Sequence, residues 1–173
     1  MKKSAQTTIH VSVADQRMRL LRGGKVMGDF PVSTSSFGVG FREGSMKTPL
    51  GRFRVAKKIG AGSKIGTVFK SRKPISRLTK HPPDADLIVS RILWLDGLGR
   101  RNANSYDRFI YIHGTNHEEQ VGRPASHGCV RMRNADVVEL FGLVEVDTPV
   151  VIAREFPRKR PSVARRKALR RPI

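Results

Sequence analysis

The sequence predicts a mainly β domain, a mixed β-sandwich or partly closed barrel, with about one short helix after a lone cysteine. Three observations predict it. Apolar residues gather into short runs of strand length rather than long helical stripes. Clusters rich in Gly, Pro, Ser and Asn separate those runs. Helical spacing of apolar residues occurs only once, just before Gly142. A chain of 173 residues fits one domain with a real core.

The elements follow in order. Residues Thr7 to Val13 alternate, with Ile9, Val11 and Val13 on one side, as in a half-buried strand. Asp15-Gln16 turns the chain into a second strand, Arg17 to Arg22. Gly23-Gly24 then makes a two-residue hairpin, because both central positions of such a turn want positive φ. Lys25 to Ser33 returns as the third strand of a meander. Ser33 to Gly44 reads as a loop; Gly38 and Gly40 suggest a phosphate cradle, but no Gly-Lys-Thr follows. Thr48-Pro49 leads into a strand from Gly51 to Ala56, with Phe53 and Val55 inward. Lys57 to Asp86 is irregular in composition, and is expected to be a lid beside the active site or a solvated insertion, with His81 exposed. Leu87 to Leu95 is a core strand or a bulged strand pair. A polar loop runs from Gly97 to Ser105, and Arg108 to His113 forms a central strand delivering His113 at its end. Asn134 is placed as the N-cap of a helix whose face is Val137, Val138, Leu140 and Phe141. Val150-Val151-Ile152 makes the last strand. The expected division is a domain over residues 1–156 and a basic tail over 157–173, disordered or weakly helical.

The formal net charge is +20, and eight Lys or Arg fall in the last seventeen residues without one acid. Such a balance predicts attraction to anionic polymers, nucleic acid among them. A nucleic-acid-binding protein with a β core is one reading. Against it, only eleven aromatics exist and most lie in apolar strands, so no stacking set is visible. No stretch has the length of a transmembrane helix. Met1-Lys2-Lys3 is followed by polar residues, so no signal peptide is expected.

Chemistry concentrates between Tyr111 and Asn134, which holds the only cysteine, Cys129, and three of the five histidines. A thiol attacks as thiolate and needs a base or cation nearby. His113 and His127 supply candidates. Gly128 lets a carbonyl approach the backbone, where the N–H groups of His127, Gly128 and Cys129 could hold an oxyanion. A structural cysteine among packed histidines is the alternative, disfavoured by the Gly-Cys step and polar surroundings. A zinc site through His113 and His117 is also disfavoured. Gly114 and the preceding strand pattern oppose the helix that this spacing needs, no second cysteine exists, and acidic ligands are limited to Glu118 or Glu119.

Ile112-His113-Gly114-Thr115 followed by Ser126-His127-Gly128-Cys129-Val130-Arg131 resembles the signature of the L,D-transpeptidase catalytic domain, the YkuD-type fold. The resemblance runs over roughly residues 7–153, including Thr48 to Phe53 and Arg91 to Leu98. It implies a cysteine acyltransferase acting on peptidoglycan stem peptides, with the same β architecture. Cys129 is then the nucleophile and His113 the base, with the Gly114 carbonyl a candidate partner for its second nitrogen; some family members carry Ser there. Ser126 would orient either ring, and His127 would hold the loop or meet substrate. Arg131 would grip a substrate carboxylate, Thr115 and Asn134 being further substrate-side candidates, although Asn134 fits a helix cap better. The implied reaction expels D-alanine from a tetrapeptide, leaves a thioester on Cys129 and passes the acyl group to an amine as a 3→3 cross-link. Water as acceptor would make an L,D-carboxypeptidase. The resemblance implies no metal or cofactor, inhibition by carbapenem β-lactams, a periplasmic or envelope location, and anionic envelope polymers rather than a specific nucleic acid as partners of the tail.

Overall fold

The computed structural model describes residues 5–76 and 80–157. The meander opens the chain as β1 (Thr7–Ser12), β2 (Arg17–Arg22) and β3 (Lys25–Pro31). Gly23 and Gly24 take φ of 57° and 79°, the left-handed pair that a tight hairpin demands. Next come β4 (Gly51–Ile59), a small hairpin of β5 (Val68–Lys70) and β6 (Lys73–Pro74), and the long β7 (Ile88–Gly97). The site strands are β8 (Tyr111–Thr115) and β9 (Val130–Met132), followed by α1 (Asn134–Leu143) and β10 (Pro149–Ala153). Single 3-10 turns occupy Ala103–Ser105 and Glu118–Gln120.

All ten strands join one mixed sheet in the order β3-β2-β1-β10-β4-β7-β5-β6, with β8 on β7 and β9 on β8. The path does not return on itself, so the sheet stays open instead of closing into a barrel. The last strand enters its middle: β10 lies parallel to β1 and antiparallel to β4, pairing Val150 with both Ile9 and Phe53. β7 is the hub. Seven consecutive residues, Val89 to Leu95, are buried, as a strand covered on both faces must be. Its alternate residues feed two cores. Leu93 and Leu95 join Ile112, Val130, Met132, Val137 and Leu140 in the main core beneath α1. Ile92 and Trp94 join Phe69 and Tyr111 on the other face, with Cys129 packed against them.

Several boundaries move. The strand expected from Arg108 begins at Tyr111, because Phe109 takes a φ of 56° and breaks the extended run. His113 therefore sits inside β8 rather than at its end. Residues 57–86 are less irregular than their composition: β4 continues to Ile59 and a hairpin follows. α1 starts at Asn134, so the cap position is Arg133 and carries no side-chain cap. β7 is a single strand with a register shift between Val89 and Ile92, centred on Ser90 at φ 70°. Residues 158–173 of the tail lie outside the described residues. Among the described residues no helix is long and apolar enough to cross a membrane.

Candidate active site

The parallel pairing of β8 with β9 assembles the site. Register places His113 opposite Arg131 and Ile112 opposite Val130, which sets Cys129 beside Tyr111. Alternation along the strands then turns Ile112 and Val130 into the main core and leaves Tyr111 and His113 on the other face with Cys129. The Tyr111 N–H donates to Cys129 Sγ at 3.4 Å, and the thiol donates to the Phe109 carbonyl at 3.3 Å.

The turn before Cys129 is held from three sides. Ser126 Oγ donates to the Cys129 carbonyl at 2.6 Å and accepts from the Gly128 N–H at 3.3 Å. The Ser126 hydroxyl thus shapes the loop backbone and orients neither imidazole. Gly128 takes a φ of 124°, open to glycine and hostile to other residues. Its carbonyl accepts from Thr48 Oγ1 at 3.0 Å, and Thr48 Oγ1 in turn accepts from the Ser35 N–H at 3.0 Å. Ser33 and Arg131 exchange two backbone bonds of 2.9 Å. The Ser33–Ser36 segment, which reads as plain loop in sequence, is therefore a splint for the cysteine turn. Thr48 does the same from the Thr-Pro step.

His113 is buried at 2 % exposure, with Nδ1 2.6 Å from the Gly114 carbonyl. A carbonyl only accepts, so Nδ1 carries the proton and Nε2 is left with its lone pair. Burial lowers the imidazole pKa, and the Gly114 carbonyl only partly opposes this. Burial pushes the Cys129 thiol up to about 11, against the Tyr111 N–H and the Arg131 and Arg108 charges that pull it down. Both shifts favour the uncharged forms, thiol and neutral imidazole, over the charged ones. Gly114 itself is required: a Cβ there would run into Asn134 Oδ1 and the Val89 carbonyl. That is the physical reason a serine cannot stand here.

Asp86, absent from the sequence-based candidates, organises the rim. Its Oδ2 accepts from Arg131 Nη2 at 2.5 Å and from His127 Nδ1 at 3.1 Å. Burial alone would raise its pKa, but Arg131 and the histidines hold it below the ordinary carboxylate value. Arg131, 2 % exposed, also donates to Gln120 Oε1 at 3.2 Å. The carboxylate it grips is thus internal, and a substrate would have to displace Asp86 to reach it. Asp86 is held in turn by its neighbours: Asn116 Nδ2 donates to the Ala85 carbonyl at 2.8 Å, and Asn116 Oδ1 accepts from the Leu87 N–H at 2.9 Å. An acid closing a lysine-rich insertion has no local signature; only the fold carries it to Arg131.

Two substrate-side candidates are spent on structure. Asn134 donates from Nδ2 to the Thr115 carbonyl and to Glu118, each at 2.8 Å, while its Oδ1 accepts from Ser90 Oγ. Thr115 is fully buried and accepts the His117 N–H at 3.0 Å. His117 points to the Ala85 carbonyl, 3.1 Å from Nε2. Among the described residues no group of three metal-ligating side chains converges. A cleft of about 320 Å³, lined by Met46, Arg108, Phe109, Ile110 and His127 with Glu43 and Asp107, opens beside the cysteine turn. Another cavity, about 490 Å³ near Phe41, Leu98 and Arg101, touches none of these residues.

Comparison with known proteins points the same way. A profile of the L,D-transpeptidase catalytic domain, YkuD, matches residues 6–152. The putative L,D-transpeptidase YqjB of Bacillus subtilis is 52% identical over 52 residues, 30% of this chain and 30% of that protein. An L,D-transpeptidase from Mycobacterium smegmatis superposes with a TM-score of 0.58 at 16% identity, covering 86% of this chain and 59% of its own. L,D-transpeptidase 3 from Mycobacterium tuberculosis, in complex with a faropenem-derived adduct, gives 0.57 at 15% identity over 86% and 60%. The chain spans less than two thirds of the length of each of these relatives. The two structures, at such identities, share its fold.

Proposed function

This chain belongs to the L,D-transpeptidase catalytic domain family, and on that premise we propose that it is a cysteine acyltransferase of peptidoglycan stem peptides. The observation that carries the proposal is the placement of Cys129 beside Tyr111, next to the strand β8 that carries His113 with its Nδ1 2.6 Å from the Gly114 carbonyl and its Nε2 left as the base. His113 Nε2 takes the Cys129 proton as Sγ attacks the carbonyl that joins the third stem residue to terminal D-alanine. With the Gly128 N–H engaged by Ser126, the backbone N–H groups of His127 and Cys129 are the remaining donors for the oxyanion. Collapse breaks the C–N bond, His113 returns the proton to the departing D-alanine amine, and a thioester remains. An amine of a second stem then attacks the thioester, gives its proton to His113 and forms the 3→3 amide as Cys129 leaves. Water in place of the amine gives the carboxypeptidase product from the same intermediate. Peptidoglycan as substrate places the protein in the cell envelope.

The test is intact-mass analysis with a disaccharide-tetrapeptide and with faropenem. The expected result is D-alanine release and a single β-lactam adduct, both absent from Cys129→Ser. Turnover by a folded Cys129→Ser protein would refute the proposal.

A further inference from the structure

Beside Cys129 lies an aromatic platform. Trp94 and Tyr106 stack at 4.1 Å with their planes 2° apart, Tyr111 meets Trp94 edge-on at 5.5 Å, and Phe109 flanks both. Two cations cover it. The Arg72 guanidinium stands 5.1 Å from the Trp94 and Phe109 ring centres and donates from Nη1 to Tyr111 Oη at 3.4 Å. Lys57 Nζ stands 5.3 Å from Trp94 and 5.6 Å from Tyr106. Among the described residues neither cation has a carboxylate within ion-pair distance, whereas Arg17, Arg19, Arg54 and Arg131 all do. The turn that carries Arg72 has a fixed form. Ser71 and Arg72, the turn between β5 and β6, take φ of 49° and 65°, and Phe109 takes 56°. The pair at Ser71 and Arg72 is the left-handed pair that a two-residue hairpin demands, and it fixes where the Arg72 side chain starts.

Tyr111 ties the cations to the chemistry, since its side chain receives Arg72 while its N–H contacts Cys129 Sγ. We infer that Arg72, assisted by Lys57, binds the terminal α-carboxylate of the donor stem, the carboxylate that departs with the D-alanine leaving group. A ring face beneath a guanidinium keeps it partly dehydrated and oriented, which strengthens a charge-assisted bond to an incoming anion. The carboxylate lies only a few bonds beyond the scissile carbonyl, so Arg72 would position the bond that Cys129 attacks. This inference rests on the acyltransferase reading and names the donor feature which that reading leaves open.

The experiment compares a tetrapeptide stem with a free terminal carboxylate against the same stem amidated at its C-terminus. Binding is measured by titration to Cys129→Ser protein, and turnover by release of the terminal residue from the wild type. Arg72→Gln is expected to lower affinity and kcat/KM for the free acid by about tenfold or more, to change the amide by less than about threefold, and to be partly rescued as Arg72→Lys. Lys57→Gln should show the same pattern more weakly. Equal losses on acid and amide, or none, overturn the inference. Arg72-dependent binding of the acid without any turnover by the wild type overturns the acyltransferase reading and leaves the carboxylate site standing.

Discussion

The two faces of β7 and β8 are built from the same strands and do opposite work. Toward α1, Leu93, Leu95 and Ile112 pack with Val130, Met132, Val137 and Leu140 into an apolar core. On the other face a small cluster of Phe69, Ile92, Trp94 and Tyr111 adjoins a thiol and two cations. Strand alternation makes the division sharp: Ile112 and His113 are neighbours in the chain and belong to different physical regimes. The rigid face keeps the other in place.

The largest effect should come from the reactive face alone. Cys129→Ser is expected to abolish both D-alanine release and faropenem acylation while leaving Tm within about 2 °C, since it exchanges one half-buried thiol for a hydroxyl of similar shape. A large loss of Tm would show that the two faces are not separable.

His113→Ala against Ile112→Ala sharpens the comparison. Ile112→Ala should cost about 2–5 kcal/mol of stability, read by urea unfolding, because Ile112 is fully buried. His113→Ala should slow Cys129 acylation by about a hundredfold at neutral pH, as expected for loss of a general base. The wild-type rate should plateau at a pH below the ordinary imidazole range, because burial lowers the pKa of His113. In His113→Ala the rate should climb only toward the thiol's own ionisation near pH 11. The linkage signs follow. The raised thiol pKa contributes stability below the unfolded thiol value that is lost as pH rises through about 11. The lowered imidazole pKa contributes stability above the unfolded value that is lost as pH falls.

Asp86→Asn tests the rim. It would leave the guanidinium of Arg131 without its counter-charge at 2 % exposure, and a loss of about 2–3 kcal/mol is expected, discounted because Asp86 is partly solvated. The depressed Asp86 pKa makes its contribution present above the unfolded carboxylate value and lost as pH falls through the folded one. Asp86→Asn should therefore flatten the acid limb of the stability curve; an unchanged limb would show that Asp86 does not hold Arg131.

The smallest effect belongs to the basic tail. Deleting residues 158–173 removes eight positive charges and should weaken adsorption to peptidoglycan sacculi in a salt-sensitive way, by less than about tenfold at physiological ionic strength. Turnover of a small soluble stem should not change. Lost turnover would place the tail in the domain, and lost affinity for nucleic acid alone would assign it another partner.

The sequence by itself determined the β class, the three-strand meander, the single helix and the cysteine on which the proposed chemistry rests. Each rests on short-range physics: period-two alternation, the positive φ of Gly23-Gly24, and a thiol beside a glycine that admits a carbonyl. The Gly114 carbonyl as a partner for His113 was legible too, because it is one residue away. Tertiary structure alone decided the rest. Open sheet or closed barrel depends on where β10 inserts, between β1 and β4, and local pattern does not encode that pairing. Arg131 looks like a free guanidinium in sequence, yet Asp86 meets it from 45 positions away. Ser33 and Ser35 read as loop, and Thr48 as the start of a turn into a strand, because their partners, Arg131, Ser126 and Gly128, are brought to them only by folding. Arg72 is one of many surface charges in a chain of net charge +20 until the β5–β6 turn sets it over Trp94. Side-chain periodicity reports which face a residue takes; what meets it there depends on pairings between distant segments, whose stability comes from the whole core.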